Sequence, residues 1–379
     1  MKLVVSLFLL CAMACGTTNI AAPPEIFDAG FNPDAGALPD AGTNPDGGTT
    51  FTLGAAMTAP AQTWTWVPFA DSHCGDGSTV GIGINLNAST SRVLIYFEGG
   101  GACWDQLTCV TEHTAVNFTS GYTQANFNTE STTTSYLAEQ GGFFDRTAAA
   151  NPFKDYSYVY IPYCTGDVHA GSNVASYGMH VGHENFTAFL QRIVPTFPST
   201  DRVVLAGSSA GGVGALYNWP RTQQVFGNIR VDLIDDSGTL MPADVSSLRS
   251  GGSIEPTWRS SWNLAATLPS ACTGCATDLS AYYGYAAGLL PNSRGAVISY
   301  KSDTVIPTFY GITGAQFTTG LQETISSQFT PHANLKIFES ASSGHVLFFN
   351  PTIAQGSVTE QQFITKMVTD DSTWSSVTP

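Results

Sequence analysis

A serine hydroxyl becomes a nucleophile only when a base takes its proton and a nearby group accepts the charge that follows. The stretch Asp201-Arg-Val-Val-Leu-Ala-Gly207-Ser208-Ser209-Ala210-Gly211-Gly212 is suited to that chemistry. It reads as a short apolar strand, a turn of small residues and the start of a helix, with Ser209 at the centre of G-x-S-x-G. On such a strand-to-helix turn the hydroxyl is presented at the end of a sheet. The strained backbone tolerates little bulk, which explains the glycines on either side. The helix N-terminus places partial positive charge where an oxyanion would form.

The base should be an imidazole oriented by a carboxylate, in the order Ser, Asp or Glu, His. Of seven histidines only His332 and His345 follow the turn, and His332 precedes the last strand instead of following it. His345, after Ser342-Ser343-Gly344, is therefore the expected base. Two aspartates compete to orient it. Asp303 follows the strand before the histidine strand, which favours it. Asp236 follows the strand nearer the serine, and its alternative role is to cap its own turn. Glu98-Gly99-Gly100-Gly101 after an apolar strand resembles an HGGG-type oxyanion element with Glu for His. The amides of Gly100, Gly101 and Ala210 are the expected oxyanion hole, and the mechanism requires no metal and no cofactor.

These groups need a scaffold that gathers strand ends. Apolar runs at Arg92–Phe97, Tyr156–Pro162, Val231–Asp235, Ala296–Tyr300 and Leu335–Glu339 alternate with helical segments at Asn185–Val194, 243–290 and Thr359–Val368. Thr79–Asn87 alternates as an antiparallel strand would. The pattern predicts an α/β-hydrolase-like fold, a mainly parallel central sheet with helices on both faces, with ligands at the carboxyl ends of the strands. Residues 105–150 are polar and irregular, and a loop-rich cover over the site is expected there.

Residues 51–379 suffice for one large domain. Before them, Lys2, apolar Leu3–Leu10 and Ala12-Met-Ala-Cys15-Gly16 resemble a bacterial secretory signal, 1–14, ending at a lipobox with Cys15 lipidated. Residues 15–50 repeat Asp-Ala-Gly at Asp28, Asp34 and Asp40, then Asp46-Gly-Gly, with neither Lys nor Arg, and read as a disordered tether. Export is expected, as an outer-membrane or cell-surface lipoprotein or a secreted protein, with membrane attachment only through Cys15. The net charge of −15 argues against a nucleic-acid partner, and a monomer is expected. Of eight cysteines, Cys11 and Cys15 belong to the leader, which leaves six. Of the fifteen pairings open to six cysteines, the expected ones join Cys103 with Cys109 and Cys272 with Cys275 as near neighbours, which leaves Cys74 with Cys164.

Leu94-Ile-Tyr-Phe-Glu-Gly-Gly-Gly-Ala-Cys-Trp104, Tyr163-Cys-Thr-Gly-Asp-Val-His169, Gly207-Ser-Ser-Ala-Gly-Gly212 and Asp236-Ser-Gly238 together resemble the pectin acetylesterase family, which includes the animal carboxylesterase Notum. The resemblance spans roughly residues 60–350 as ordered motifs. It implies a serine carboxylesterase with Ser209 as nucleophile, Asp303 as acid, His345 as base, and Gly100, Gly101 and Ala210 at the oxyanion. O-acetyl groups on polysaccharide are the expected substrate of an exported member. A longer acyl ester is the alternative, with Trp104, Phe309, Tyr310, Phe348 and Phe349 as candidate walls of an apolar pocket. A surface lipoprotein that binds carbohydrate without catalysis is the reading outside enzymology.

Overall fold

The computed structural model describes residues 51–132, 137 and 142–379, so the expected leader, Cys15 and the tether lie outside the described residues. An eight-stranded sheet is built from β1 (Thr65–His73), β2 (Thr79–Asn85), β3 (Arg92–Phe97), β4 (Ser157–Ile161), β7 (Arg202–Ser208), β8 (Arg230–Asp236), β9 (Gly295–Asp303) and β10 (Leu335–Gly344). Small hairpins β5–β6 (Asn173–Ala175, Gly178–His180) and β11–β12 (Ala354–Gln355, Val358–Thr359) lie outside it. The sheet order is β1-β2-β4-β3-β7-β8-β9-β10, and only β2 runs against the rest. The strands read as apolar runs, β3, β4, β8, β9 and β10, all run parallel, with β10 at one edge of the sheet. Every residue of β7 is buried, which requires cover on both faces and explains why polar alternation is missing there.

β1 was not legible as a strand. Its register shifts between Pro68 and His73, which breaks the two-residue period. Pro68 is tolerated because β1 is an edge strand with one side free of ladder bonds.

The helices are α1 (Gln124–Thr132), α2 (Gly182–Thr196), α3 (Ala210–Phe226), α4 (Ala243–Ser246), α5 (Glu255–Ser261), α6 (Ala281–Leu289), α7 (Ile306–Tyr310), α8 (Gly314–Thr324) and α9 (Glu360–Val368). Thr359 caps α9 through a capping box with Gln362, which sets the expected start of that helix. Among the described residues no helix is long and apolar enough to cross a membrane. The segment expected as a cover divides in two. Thr114–Val116 lies beside the glycine loop, whereas α1 packs through Phe127 on Trp66 of β1 at a ring distance of 5.4 Å.

All three expected disulfides are present, at Cys74–Cys164, Cys103–Cys109 and Cys272–Cys275. Cys74–Cys164 closes a separation of 90 residues and ties the β1–β2 hairpin to the loop after β4. A closure of that length removes about 4–5 kcal/mol of unfolded-chain entropy in the loop model.

Candidate active site

Ser209 stands between β7 and α3 with φ +57° and ψ −122°, a conformation that side-chain-bearing residues rarely adopt. Its amide donates to the Asp236 carbonyl at 2.7 Å, and its carbonyl accepts from Gly212 N–H at 2.9 Å. Such contacts hold the turn. A Cβ on Gly207 would come within 2.0 Å of the Gly211 carbonyl oxygen, so strand and helix meet this closely only without side chains there.

Asp303 and His345 terminate adjacent strands, with Gly344 paired to Asp303 in register. His345 Nδ1 lies 2.8 Å from Asp303 Oδ2. A carboxylate only accepts, so Nδ1 carries the proton and Nε2 is left as the basic nitrogen. The other carboxylate oxygen, Oδ1, accepts from Val305 N–H at 2.7 Å and Ile306 N–H at 2.8 Å, which fixes its orientation.

Asp236, the competing acid, is occupied differently. Its Oδ2 accepts from Ser208 Oγ (2.7 Å) and Phe348 N–H (3.1 Å), and its Oδ1 from Leu347 N–H (2.9 Å) and Ser237 Oγ (3.0 Å). Ser237 Oγ in turn accepts from Val346 N–H at 3.1 Å. Burial pushes the Asp236 carboxyl up, and the donors from Leu347, Ser208 and Phe348 oppose that. Asp236 therefore does not cap its own turn; Asp235 does that, accepting from Gly238 N–H at 3.0 Å. Asp236 joins the residue before Ser209 to the three residues after His345. Val346, at φ +66°, is held in a strained conformation by this network.

The glycine loop leaves β3 beside the serine turn. Gly101 has φ +81°, and a Cβ there would meet the Thr114 carbonyl oxygen at 2.0 Å. Gly100 accepts from Val116 N–H at 2.8 Å through its carbonyl, which leaves its own amide out of that bond. Glu98, which replaces the HGGG histidine, faces inward. Its carboxyl accepts from Tyr163 N–H at 2.8 Å, and burial raises it well above the usual carboxylate range. Its carbonyl accepts from His169 Nε2 at 2.8 Å. His169 was not singled out by sequence reasoning, although it closes the Tyr163–His169 motif. Burial pushes its imidazole down to about 4, so at neutral pH it is an uncharged donor to the glycine loop.

That depression has a stability consequence. A base whose folded pKa lies below its unfolded value contributes fully above the unfolded value, near 6.5, and loses the contribution as pH falls toward 4. The stability difference between wild type and His169→Gln should therefore shrink by about 3 kcal/mol between pH 7 and pH 4. Urea melts of both proteins across that range check this. A pH-independent difference would show that His169 is not held neutral.

Ser209, Ala210 and Gly101 open onto a small pocket of about 50 Å³. Its walls include Leu240, Trp258, Ile306, Phe309 and Tyr310. Phe309 and Tyr310 are where the sequence placed them. Trp104 instead lies behind Trp258, with ring centroids 6.0 Å apart. Phe348 and Phe349 are not walls: they pack on Tyr96 at 5.1 and 5.8 Å, because Asp236 draws the chain after His345 inward. Trp258 and Trp262 come from a stretch with no catalytic motif. Tyr217 was detectable, since it follows Val213 at helical spacing from the serine turn.

Sheet order, serine turn and strand-end pair define an α/β-hydrolase-like fold. The pectinacetylesterase family model matches residues 61–286, more than half of the chain, and the chain belongs to that family. Among curated proteins it is similar to palmitoleoyl-protein carboxylesterase notum2 of Xenopus laevis, 28% identical over 39% of this chain and 29% of that protein. Palmitoleoyl-protein carboxylesterase NOTUM of Drosophila melanogaster is 25% identical over 56% of this chain and 33% of that protein. The matches thus span about a third of those relatives' length. The solved structure of the Wnt deacylase Notum from Drosophila superposes with a TM-score of 0.61 at 19% identity, over 82% of this chain and 94% of that chain.

Proposed function

We propose that this protein hydrolyses carboxylic esters through an acyl-enzyme on Ser209. His345 Nε2 takes the hydroxyl proton as Ser209 Oγ attacks the ester carbonyl. Asp303 holds the imidazole in the required tautomer and stabilises its charged form. The amides of Gly100, Gly101 and Ala210 receive the oxyanion. His345 then protonates the leaving alcohol, and water releases the acyl group by the same steps. The observation that carries this reading is a strained serine at the mouth of an apolar pocket, with a carboxylate-bound imidazole at the ends of β9 and β10 on the same edge of the sheet. Three disulfides support an oxidising compartment and hence export, with Cys15 as the proposed anchor.

The pocket lining around Leu240, Trp258, Ile306 and Phe309 is almost wholly apolar, which favours an alkyl chain on the acyl group. Each added methylene buried there is worth about 0.8 kcal/mol, or roughly fourfold in kcat/KM. Nitrophenyl esters from acetate to decanoate should therefore rise over the first few methylenes. A maximum at acetate would instead favour O-acetyl polysaccharide, the second reading, which the family's description supports. Failure of a fluorophosphonate to label Ser209 would sink the enzymatic reading and leave a carbohydrate-binding lipoprotein.

A further inference from the structure

The segment between β4 and β5 brackets the glycine loop. Cys103 N–H donates to the Gly166 carbonyl at 2.9 Å, and the Glu98 carbonyl accepts from His169 Nε2 at 2.8 Å, so both ends of the loop are tied to one segment. Glu98 N–H still pairs with the Ile161 carbonyl of β4 at 2.9 Å, which makes Glu98–Gly99 the first peptide beyond the sheet. A peptide is planar, so a donor that fixes the Glu98 carbonyl fixes the Gly99 N–H as well. Gly99 lies against the serine turn: a Cβ there would come within 2.3 Å of the Ser208 carbonyl oxygen and 3.1 Å of Ser209 Cβ. Gly99, Gly100 and Gly101 resist backbone rotation less than any other residues would, so the aim of their amides depends on such anchors.

The segment that carries His169 is itself strained. Val168 and His169 follow one another at φ +52° and +59°, a region that a β-branched residue seldom enters. Strain of this kind persists where the surroundings impose it, and it gathers at functional sites. Asp167, fully buried, imposes it here. Its Oδ1 accepts from Thr165 Oγ1 at 2.6 Å and from His169 N–H at 3.1 Å, and its Oδ2 from Gly182 N–H at 2.8 Å. Tyr163 Oη accepts from Val168 N–H at 2.9 Å, and the His169 carbonyl from Asn218 Nδ2 of α3 at 3.1 Å. Phe97 and Tyr163 enclose the imidazole, with ring centroids 4.9 and 4.7 Å away. Building on the esterase reading, we propose that His169 is a positioning residue for the oxyanion hole. Held by Asp167, it fixes the Glu98–Gly99 peptide and, through it, the glycine-loop amides against Ser209.

The test uses the full chain with nitrophenyl acetate and butyrate. His169→Phe keeps a ring and removes the donor, whereas His169→Gln keeps an N–H that can reach the carbonyl. His169→Phe should lower kcat on both esters by about 10–10², with KM within about twofold of wild type. It should weaken a trifluoromethyl ketone by the same factor as kcat/KM. In that adduct Ser209 Oγ bonds to the carbonyl carbon, His345 takes the proton and the carbonyl oxygen becomes the anion, as in the transition state. His169→Gln should recover most of both losses. A merely structural role gives another pattern: Val168 lines the pocket with Ser209, so a displaced segment changes KM and the acetate-to-butyrate ratio. Should His169→Phe not fold, Thr165→Val, which takes one donor from Asp167, should show the same pattern at about three- to tenfold. Wild-type kcat in the folded variant, inhibitor binding that does not follow kcat/KM, a changed ester ratio or no recovery with glutamine overturns the proposal. Wild-type hydrolysis in any of these cases leaves the esterase reading standing. No hydrolysis by the wild type, with Ser209 unlabelled by a fluorophosphonate, removes both.

Discussion

Ser209→Ala should lower kcat on the best ester by about 10⁴–10⁶ and leave the protein folded. The magnitude follows from the loss of the hydroxyl proposed to carry the acyl intermediate. Residual rate would come from the glycine-loop amides and the pocket acting on water. The fold should survive because the turn is held by backbone bonds, Ser209 N–H to Asp236 and Gly212 N–H to Ser209, which alanine keeps. Alanine also asks no more of the φ +57° conformation than serine does. Rates and melting temperature of wild type and variant measured together check this. A rate within tenfold of wild type would rule out the serine mechanism.

The second large effect separates the two aspartates. Asp303→Asn should cost about 10⁴ in kcat with a nearly unchanged melting temperature. The reason is local. Val305 and Ile306 amides both donate to Asp303 Oδ1, so an asparagine turns its carbonyl toward them and its NH₂ toward His345 Nδ1. That arrangement favours the tautomer with the proton on Nε2, which cannot accept from Ser209. Asp236→Asn should act in the opposite way. Each oxygen of Asp236 receives two donors, so an NH₂ at either position faces two donors in a buried site. We expect about 2–4 kcal/mol of lost stability and a fall in rate as the chain after His345 loosens. Denaturant melts and kcat/KM for both variants decide it. If Asp236→Asn kept its stability and lost the rate while Asp303→Asn did the reverse, the two roles would be exchanged.

Much of this arrangement was legible in the order of residues. The strand, small-residue turn and helix around Ser209 are a local pattern, and local patterns report local backbone demands. The Glu98–Gly101 loop, the choice of His345 over His332 and the three cysteine pairs also rest on short-range spacing or chain order. Strand order favoured Asp303 over Asp236 as the partner of His345 but did not show what Asp236 binds, because both follow parallel strands. Only the order β7-β8-β9-β10 sets Asp236 between the serine turn and the histidine loop, and Asp303 beside the imidazole. The pocket walls were likewise decided in three dimensions. Phe348 and Phe349 are near His345 in sequence but turn into the core, whereas Trp258 and Trp262 arrive from a motif-free stretch. Side-chain periodicity tells which residues are buried; which distant residues they meet depends on strand order and loop paths, and those are set by packing of the whole chain.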